Sequence, residues 1–291
     1  MTEAAPQRHP TVPPLEDRLL GATNLAGTFV AAPRGEAGYV REAITPGEAA
    51  RPWAERLPPH GLRHYYGVKD GIYRDDLYLA SGRADVQSLR RILAADGIAA
   101  PGPRILDFGC GAGRMTRHFA TEAEAGEVWG VDIHAEAIHW AATHLPPFHF
   151  VTTTTAPHLP FEDRHFDLIF AGSVWTHIGD LDTAWLLEMR RLLAPEGRLY
   201  LTLSDRETLD RIAREAPDHA SNGHVAALDA ETGMMGRDWQ AFVTRTGPWA
   251  QRVVYDREAF LAMAGRWFDI RSVTPGAYGW QTGVLLGRPP G

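Results

Sequence analysis

The sequence predicts an α/β protein, a Rossmann-like doubly wound sheet of seven strands whose last two pair antiparallel. Three observations lead there. Short apolar strands alternate with amphipathic helices between residues 104 and 203. A glycine-rich turn follows the first of those strands. The chain then closes on two apolar strands with only a short turn between them.

The elements follow in order. Residues 1 to about 60 are rich in Pro, Gly and Ala and read as an N-terminal extension, with a short hairpin at 27–44 and a linker through "RPWAERLPPHGL". A leader helix comes next: Leu77, Leu79, Val86, Leu89, Ile92 and Leu93 recur at helical spacing and Gly97 supplies a stop. "RILDFG" is the first strand and "MTRHFATEA" a helix. "EVWGVDI" is a strand and "AEAIHWAATHL" a helix. "FHFVT" and "FDLIFAGSV" are strands, "DTAWLLEMRRLLA" is a helix and "GRLYLTL" the fifth strand. The alternation breaks after Leu203. Residues 205–250 are mixed, without an obvious core strand, and read as a partly helical insertion or lid contributing to an acceptor pocket. "DREAFLAMAG" is a further helix, and "FDIRSVTP" and "TGVLLGRP" form the closing pair around the turn "GAYGWQ". The principal domain is therefore expected over 61–204 and 251–291.

Composition narrows the function classes. A net charge of −7, with Arg and Lys scattered among acids, argues against nucleic acid as the main partner. No run of eighteen apolar residues and no secretory leader is visible, so a cytoplasmic protein without a membrane partner is expected. The single cysteine, Cys110, excludes an internal disulfide framework and a cysteine-rich metal site.

The stretch "RILDFGCGAGRM" carries the chemistry. Gly109, Gly111 and Gly113 fall at every second position, with Asp107 two residues ahead of the first. A dinucleotide fingerprint needs glycine where Arg114 stands, and a phosphate-binding P-loop needs a lysine that this loop lacks. Alternating glycines let the backbone approach a ligand closely. Asp107 suits a cationic or hydrogen-donating group and would repel a bare phosphate. Asp132, at the end of the second strand, stands where an acid accepts hydrogen bonds from ribose hydroxyls. The two acids point to a nucleoside with an unphosphorylated ribose and a positively charged tail.

At this point the chain resembles the class I S-adenosylmethionine-dependent methyltransferases. "LDFGCGAGR" is similar to their first motif and "VDI" to the second. "HLPFEDRHFDLIFAGSVWTHI" and "LLEMRRLLAPEGRLYLTL" resemble the segments around the fourth and fifth strands. The upstream "LPPHGLRHYYGVKDGIYRDDLYLASGRADVQSLRRIL" resembles the leader of a bacterial subgroup associated with glycan or other small-molecule modification. The resemblance implies S-adenosyl-L-methionine as cofactor and S-adenosyl-L-homocysteine as product. It implies cofactor contacts from Asp107, Gly109, Cys110, Gly111, Gly113, Asp132 (ribose) and Ile133 (beside the adenine). The family often places an acid shortly before "LPF"; Thr155 stands near that position, and its hydroxyl or the backbone of Ala156 would serve instead. Ser173 is expected near the cofactor through its backbone, and Tyr66 near the methionine end. The side chain of Cys110 reads as a buried filler rather than a nucleophile.

Methyl transfer from a sulfonium is an in-line displacement, so the protein aligns the partners, excludes water and serves the acceptor's proton. His177 in "SVWTHI" is the candidate base, placed after the fourth strand; a histidine that only packs or caps the helix start is the competing reading. Trp175 and Tyr65 are candidate acceptor contacts, set against plain packing. His219 and His224 lack a third partner at fixed spacing, and the fourth strand ends in "FAGS" without an acid, so no metal is expected. Trp239, Phe242 and Trp249 either line an acceptor pocket or form the insertion's own core. The leading expectation is O-methylation of a small-molecule acceptor, such as a sugar or natural-product hydroxyl. N-methylation of a small molecule or peptide, a non-methylating reaction with the same cofactor, and a scaffold role are the alternatives. The leader also offers a surface for a homodimer.

Overall fold

In the computed structural model the described residues are 51–218, apart from 64, 65, 67, 70 and 71, then 226, 229–231, 233, 236 and 241–245, and finally 251–289. The hairpin expected at 27–44, Tyr65, His219, His224, Trp239 and Trp249 lie outside them, as does the side chain of Phe242.

A two-residue ladder, β1 (Val68–Lys69) and β2 (Ile72–Tyr73), precedes helix α1 (Asp75–Ala95). The buried stripe of α1 runs through Tyr78, Gly82, Val86, Leu89 and Leu93, spacings of three and four that keep one face on the sheet. The stripe therefore passes through Tyr78 rather than its neighbours Leu77 and Leu79, which are half-buried. Gly97, at φ +84°, takes the left-handed turn that ends the helix, and the Ile98 N–H bonds back to the Leu93 carbonyl at 2.9 Å.

The doubly wound core follows: β3 (Arg104–Phe108), α2 (Ala120–Ala125), β4 (Glu127–Asp132), α3 (Ala135–His144), β5 (His149–Thr152), β6 (Phe166–Ala171), α4 (Asp182–Leu192) and β7 (Leu193–Leu203). The helix expected over 115–123 is a 3₁₀ turn at Thr116–His118 followed by the short α2. After β7 come α5 (Arg206–Glu215), β8 (Ala241–Arg245), β9 (Gln251–Tyr255), α6 (Arg257–Ala264), β10 (Asp269–Tyr278) and β11 (Gln281–Gly287). The sheet order is β10-β11-β7-β6-β3-β4-β5, a seven-stranded mixed sheet. β3 pairs in parallel with β4 and β6, while β11 runs antiparallel to both β7 and β10. The chain thus winds outward through β4 to the edge strand β5, then crosses back to β6 on the other side of β3. Ligands of such sheets settle at the carboxyl ends of the strands where the winding reverses.

Strand alternation divides the core into two layers. Leu106, Ile169, Leu199, Leu201 and Val284 face one side, with Trp185, Leu186 and Met189 of α4 and Phe260 of α6. Ile105, Val128, Leu168, Phe170, Tyr200 and Leu285 face the other, with Val86, Leu89 and Leu93 of α1 and Trp140 of α3.

Two sequence expectations change. The segment expected to lack a strand contains β8, paired antiparallel with β9 in a ladder separate from the main sheet. β9 still belongs to the core, because Val253 and Tyr255 are buried against it. The closing turn is also tighter than "GAYGWQ": β10 continues through an irregular register to Tyr278, which pairs with Gln281. Asp205 caps α5 in a capping box with Thr208.

Gly82 lies mid-helix, where alanine ordinarily stabilises. Here a Cβ would overlap the backbone carbonyl oxygen of Arg114. Gly82→Ala is therefore expected to lower stability, by about 1–3 kcal/mol, as α1 is pushed off the glycine turn; urea denaturation reads the sign directly.

Candidate cofactor and acceptor site

The glycine turn leaves β3 at the switch point. Gly109, Gly111 and Gly113 have φ of +80°, +53° and +72°, which a side chain would strain. The fold also leaves no room for one at two of them. A Cβ on Gly109 would run into Val174, and one on Gly113 would stand 2.5 Å from Leu145 Cδ1. The Gly109 N–H donates to the Val131 carbonyl at 2.8 Å, fixing the turn to the end of β4. Asp132 completes this attachment: one carboxylate oxygen accepts from the Gly111 N–H and the other from the His134 N–H, both at 2.8 Å. Each oxygen has further lone-pair capacity for a hydroxyl. Ile133 beside it is 42% exposed, large for an apolar residue in this core, and offers a surface for a flat ring.

Asp107 is only 3% exposed and accepts from the Thr116 hydroxyl at 2.6 Å. Burial pushes its carboxyl up to about 7, against the pull of Thr116 and Arg114. Cys110 is buried, with Sγ directed at the Gly111 carbonyl, and burial raises its thiol well above the ordinary range, as suits a filler. Thr155 is exposed. The hydroxyl that meets the Ala156 N–H is that of buried Thr154, at 3.2 Å. Thr155 thus gives way to its neighbour as the hydroxyl closing this turn.

The other wall of the crevice is the turn after β6. Ser173 has φ +61°, an uncommon conformation for a residue with a side chain. Its N–H donates to Thr202 Oγ1 at 2.7 Å, and its hydroxyl receives the Gln281 amide at 2.9 Å. Trp175 is fully buried, edge-on to Phe108 and packed in the core beneath the turn. That placement gives it the packing role and removes it as a wall for an acceptor. His177 is exposed at the end of the 3₁₀ turn Trp175–His177. The Tyr255 hydroxyl donates to the Ile178 carbonyl just beyond it, so β9, which follows the 205–250 segment, braces the turn that carries His177.

A cluster of which the sequence analysis names only Tyr66 as a site residue closes the site toward α1. The Arg114 guanidinium is buried, ion-paired with Asp85 at 2.7 Å, hydrogen-bonded to Ser81 and Tyr278, and centred 3.8 Å from the Tyr66 ring. Tyr66 and Tyr278 share a hydrogen bond at 2.7 Å. The Tyr278 ring lies against Gly172, where a Cβ would stand 2.7 Å from it. Tyr66 therefore meets the glycine turn through Arg114. The sequence signals were Tyr66 and Arg114 in place of a glycine; Tyr278 arrives from the far end of the chain. Among the described residues no group of three or more His, Cys, Asp or Glu is placed to hold a metal ion, and no helix is long and apolar enough to cross a membrane.

Comparison with known proteins agrees with this architecture. Residues 106–201 match the family model described as a methyltransferase domain. A ubiquinone/menaquinone biosynthesis C-methyltransferase from Paraburkholderia phymatum is 36% identical over 105 residues, 35% of this chain and 43% of the relative. The match thus spans less than half the length of that relative. Among solved structures, a protein from Pyrococcus horikoshii OT3 covers 79% of this chain, and the chain covers 99% of it, with TM-score 0.52 and 19% identity. The magnesium protoporphyrin IX methyltransferase of Synechocystis PCC 6803, with bound SAH, gives 78% and 92% coverage, TM-score 0.50 and 18% identity. The likeness to these structures is one of fold, an α/β domain with a seven-stranded mixed sheet. More particularly, residues 106–201 are similar to a methyltransferase domain, as 105 residues of the chain are to the C-methyltransferase relative.

The raised Asp107 carboxyl has a signed consequence. An acid whose folded value lies above its unfolded one adds stability that is fully present below its unfolded value of 3.8 and is lost as pH rises from there to about 7. Asp107→Asn is expected to flatten this part of the stability curve of the ligand-free protein, measured by urea denaturation from about pH 5 to pH 8.

Proposed function

We propose that the protein transfers a methyl group from S-adenosyl-L-methionine to a small-molecule acceptor, with O-methylation favoured. The observation that carries this reading is the Gly109–Gly113 turn tied to Asp132: a backbone surface that no side chain can fill, bounded by one acid with spare lone pairs. That donor set suits an unphosphorylated ribose. Asp132 would hold the ribose hydroxyls, and Ile133 with the Thr154–Ala156 turn would flank the adenine. The glycine backbone would pass beneath the nucleoside. Buried Asp107 would face the cationic part, whose charge favours its ionised form. The bound cofactor supplies an electrophilic methyl on a sulfonium whose leaving group is a neutral thioether. The chain's own work is then to align the acceptor, exclude water and take the acceptor's proton.

His177 is proposed as that base. It sits at the carboxyl end of β6, on a turn held by Ser173 and braced by Tyr255. The curated C-methyltransferase relatives bear on the cofactor half alone, because acceptor pockets are built on segments grafted around a common fold. The lid role of 205–250 and a homodimer through the leader remain part of this proposal, as does cytoplasmic location.

Two measurements test it. S-adenosyl-L-homocysteine should bind the wild type in calorimetry, and Asp132→Ala should weaken it by about tenfold or more, the worth of a charge-assisted hydrogen-bond pair. No binding by the wild type would sink the reading. With an acceptor in hand, His177→Ala should lower kcat by about 10²-fold or more while leaving S-adenosyl-L-homocysteine affinity unchanged. Unchanged turnover would remove His177 as base and leave the cofactor assignment intact.

A further inference from the structure

Behind the β6 turn lies a closed circuit of uncharged polar groups drawn from three strands' ends. Thr176 Oγ1 donates to the Ser173 carbonyl at 2.8 Å, and the Ser173 hydroxyl faces Thr176 Oγ1 at 3.2 Å. The Ser173 N–H donates to Thr202 Oγ1, and Thr202 Oγ1 donates to Gln281 Oε1 at 2.6 Å. Gln281 Nε2 returns to Ser173 Oγ at 2.9 Å. Each hydroxyl carries one proton, and each proton is spent inside the circuit. The amide orientation follows from the same count. Turned over, Gln281 would donate to Thr202 Oγ1 and leave that hydroxyl's proton without an acceptor in the circuit, at a fully buried residue.

One donor is left over. A primary amide has two N–H groups, and the second N–H of Gln281 has no partner among the described residues. Gln281 is half-buried and opens β11, which runs antiparallel to β7, so it lies at the carboxyl end of the parallel strands. The circuit is also seated on the glycine turn: Val174, next to Ser173, abuts Gly109, and Gly172, on its other side, abuts Tyr278. The circuit itself contains neither a carboxylate nor a cation. The carboxylates beside it are engaged: Asp205 accepts from the hydroxyl of Thr282, next to Gln281, at 2.7 Å and faces Arg257, and Glu215 accepts from Trp280 Nε1 at 3.1 Å and pairs with Arg211.

We propose that Gln281, held by Thr202 and Ser173, is the acceptor-reading residue of this site, donating its spare amide N–H to an uncharged hydroxyl or carbonyl oxygen of the molecule to be methylated. The inference rests on the methyltransferase reading and deepens it by naming the substrate class. An ammonium would meet a donor, and the neighbouring Asp205 and Glu215 carboxylates are already paired with Arg257 and Arg211. A carboxylate would meet one neutral donor in exchange for its hydration. Both are disfavoured against a neutral oxygen.

The test uses the full chain saturated with S-adenosyl-L-homocysteine and three probes that share a ring system: 2-naphthol, naphthalene-2-carboxylate and 2-naphthylmethylammonium. Affinities are measured by calorimetry or ligand-observed NMR. 2-Naphthol is expected to bind at least about tenfold tighter than either charged probe. Gln281→Met, close in volume but without a donor, should lose about tenfold in 2-naphthol affinity while S-adenosyl-L-homocysteine binds as in the wild type, which also shows that the variant is folded. Equal affinity of wild type and Gln281→Met, a charged probe ranked first, or a cofactor-product complex that binds none of the three overturns the proposal. Failure of the wild type to bind S-adenosyl-L-homocysteine is a different result, because it removes the methyltransferase reading on which the proposal stands.

Discussion

The crevice depends on one buried cation. Arg114 leaves the glycine turn and enters a space bounded by α1, β10 and the residue that precedes the first small ladder. There it meets Asp85, Ser81, Tyr278 and the face of Tyr66. Burying an ion pair is seldom a gain in stability over apolar packing, since desolvation offsets the attraction. Its effect here is positional. Three segments, Tyr66, α1 and β10, are held to one guanidinium whose fork allows few arrangements. Loss of Asp85 would leave the Arg114 charge without compensation, at a cost of about 3–5 kcal/mol. The contact of Gly82 with the Arg114 carbonyl shows how little slack surrounds it.

From that anchor the rest of the site follows by contact. Arg114 sets Tyr278, Tyr278 lies on Gly172, and Gly172 opens the strained turn at Ser173. Val174 then returns to the glycine turn at Gly109. The ring closes without passing through a ligand, so the crevice is shaped before anything binds. Such preorganisation is the main service a protein can offer to a displacement whose leaving group needs no help.

Sequence legibility follows contact order through this ring. The glycine turn was readable because its demands are local: positive φ at alternate residues, an acid two positions before, another at the next strand's end. Hydrophobic periodicity found the parallel strands and most helices for the same reason. Tyr278 and Gln281 were not readable. Both lie around a turn more than 100 residues beyond Ser173, and their meaning comes only from a sheet in which β11 is inserted beside β7. β9 was hidden differently. Its buried residues Val253 and Tyr255 alternate as a strand should, but its partner β8 stands apart from the main sheet, where no βαβ rhythm predicts it. Trp175 shows the reverse error: a large aromatic next to a site invites a ligand role, although the space beneath a strand-end turn also has to be filled.

The two halves of the site therefore answer to different constraints. At the cofactor end the surface is backbone, fixed by glycines and by a carboxylate bound to N–H groups, so almost any drift in sequence would abolish it. At the proposed acceptor end the surface is made of side chains. Gln281, Thr202, Ser173 and Thr176 are joined by side-chain hydrogen bonds rather than by the strand ladders alone. Specificity can change there while the nucleoside seat stays constant. Neutral hydroxyls and an amide, placed where acids or arginines would fit the same register, are on that argument the most informative residues about the acceptor.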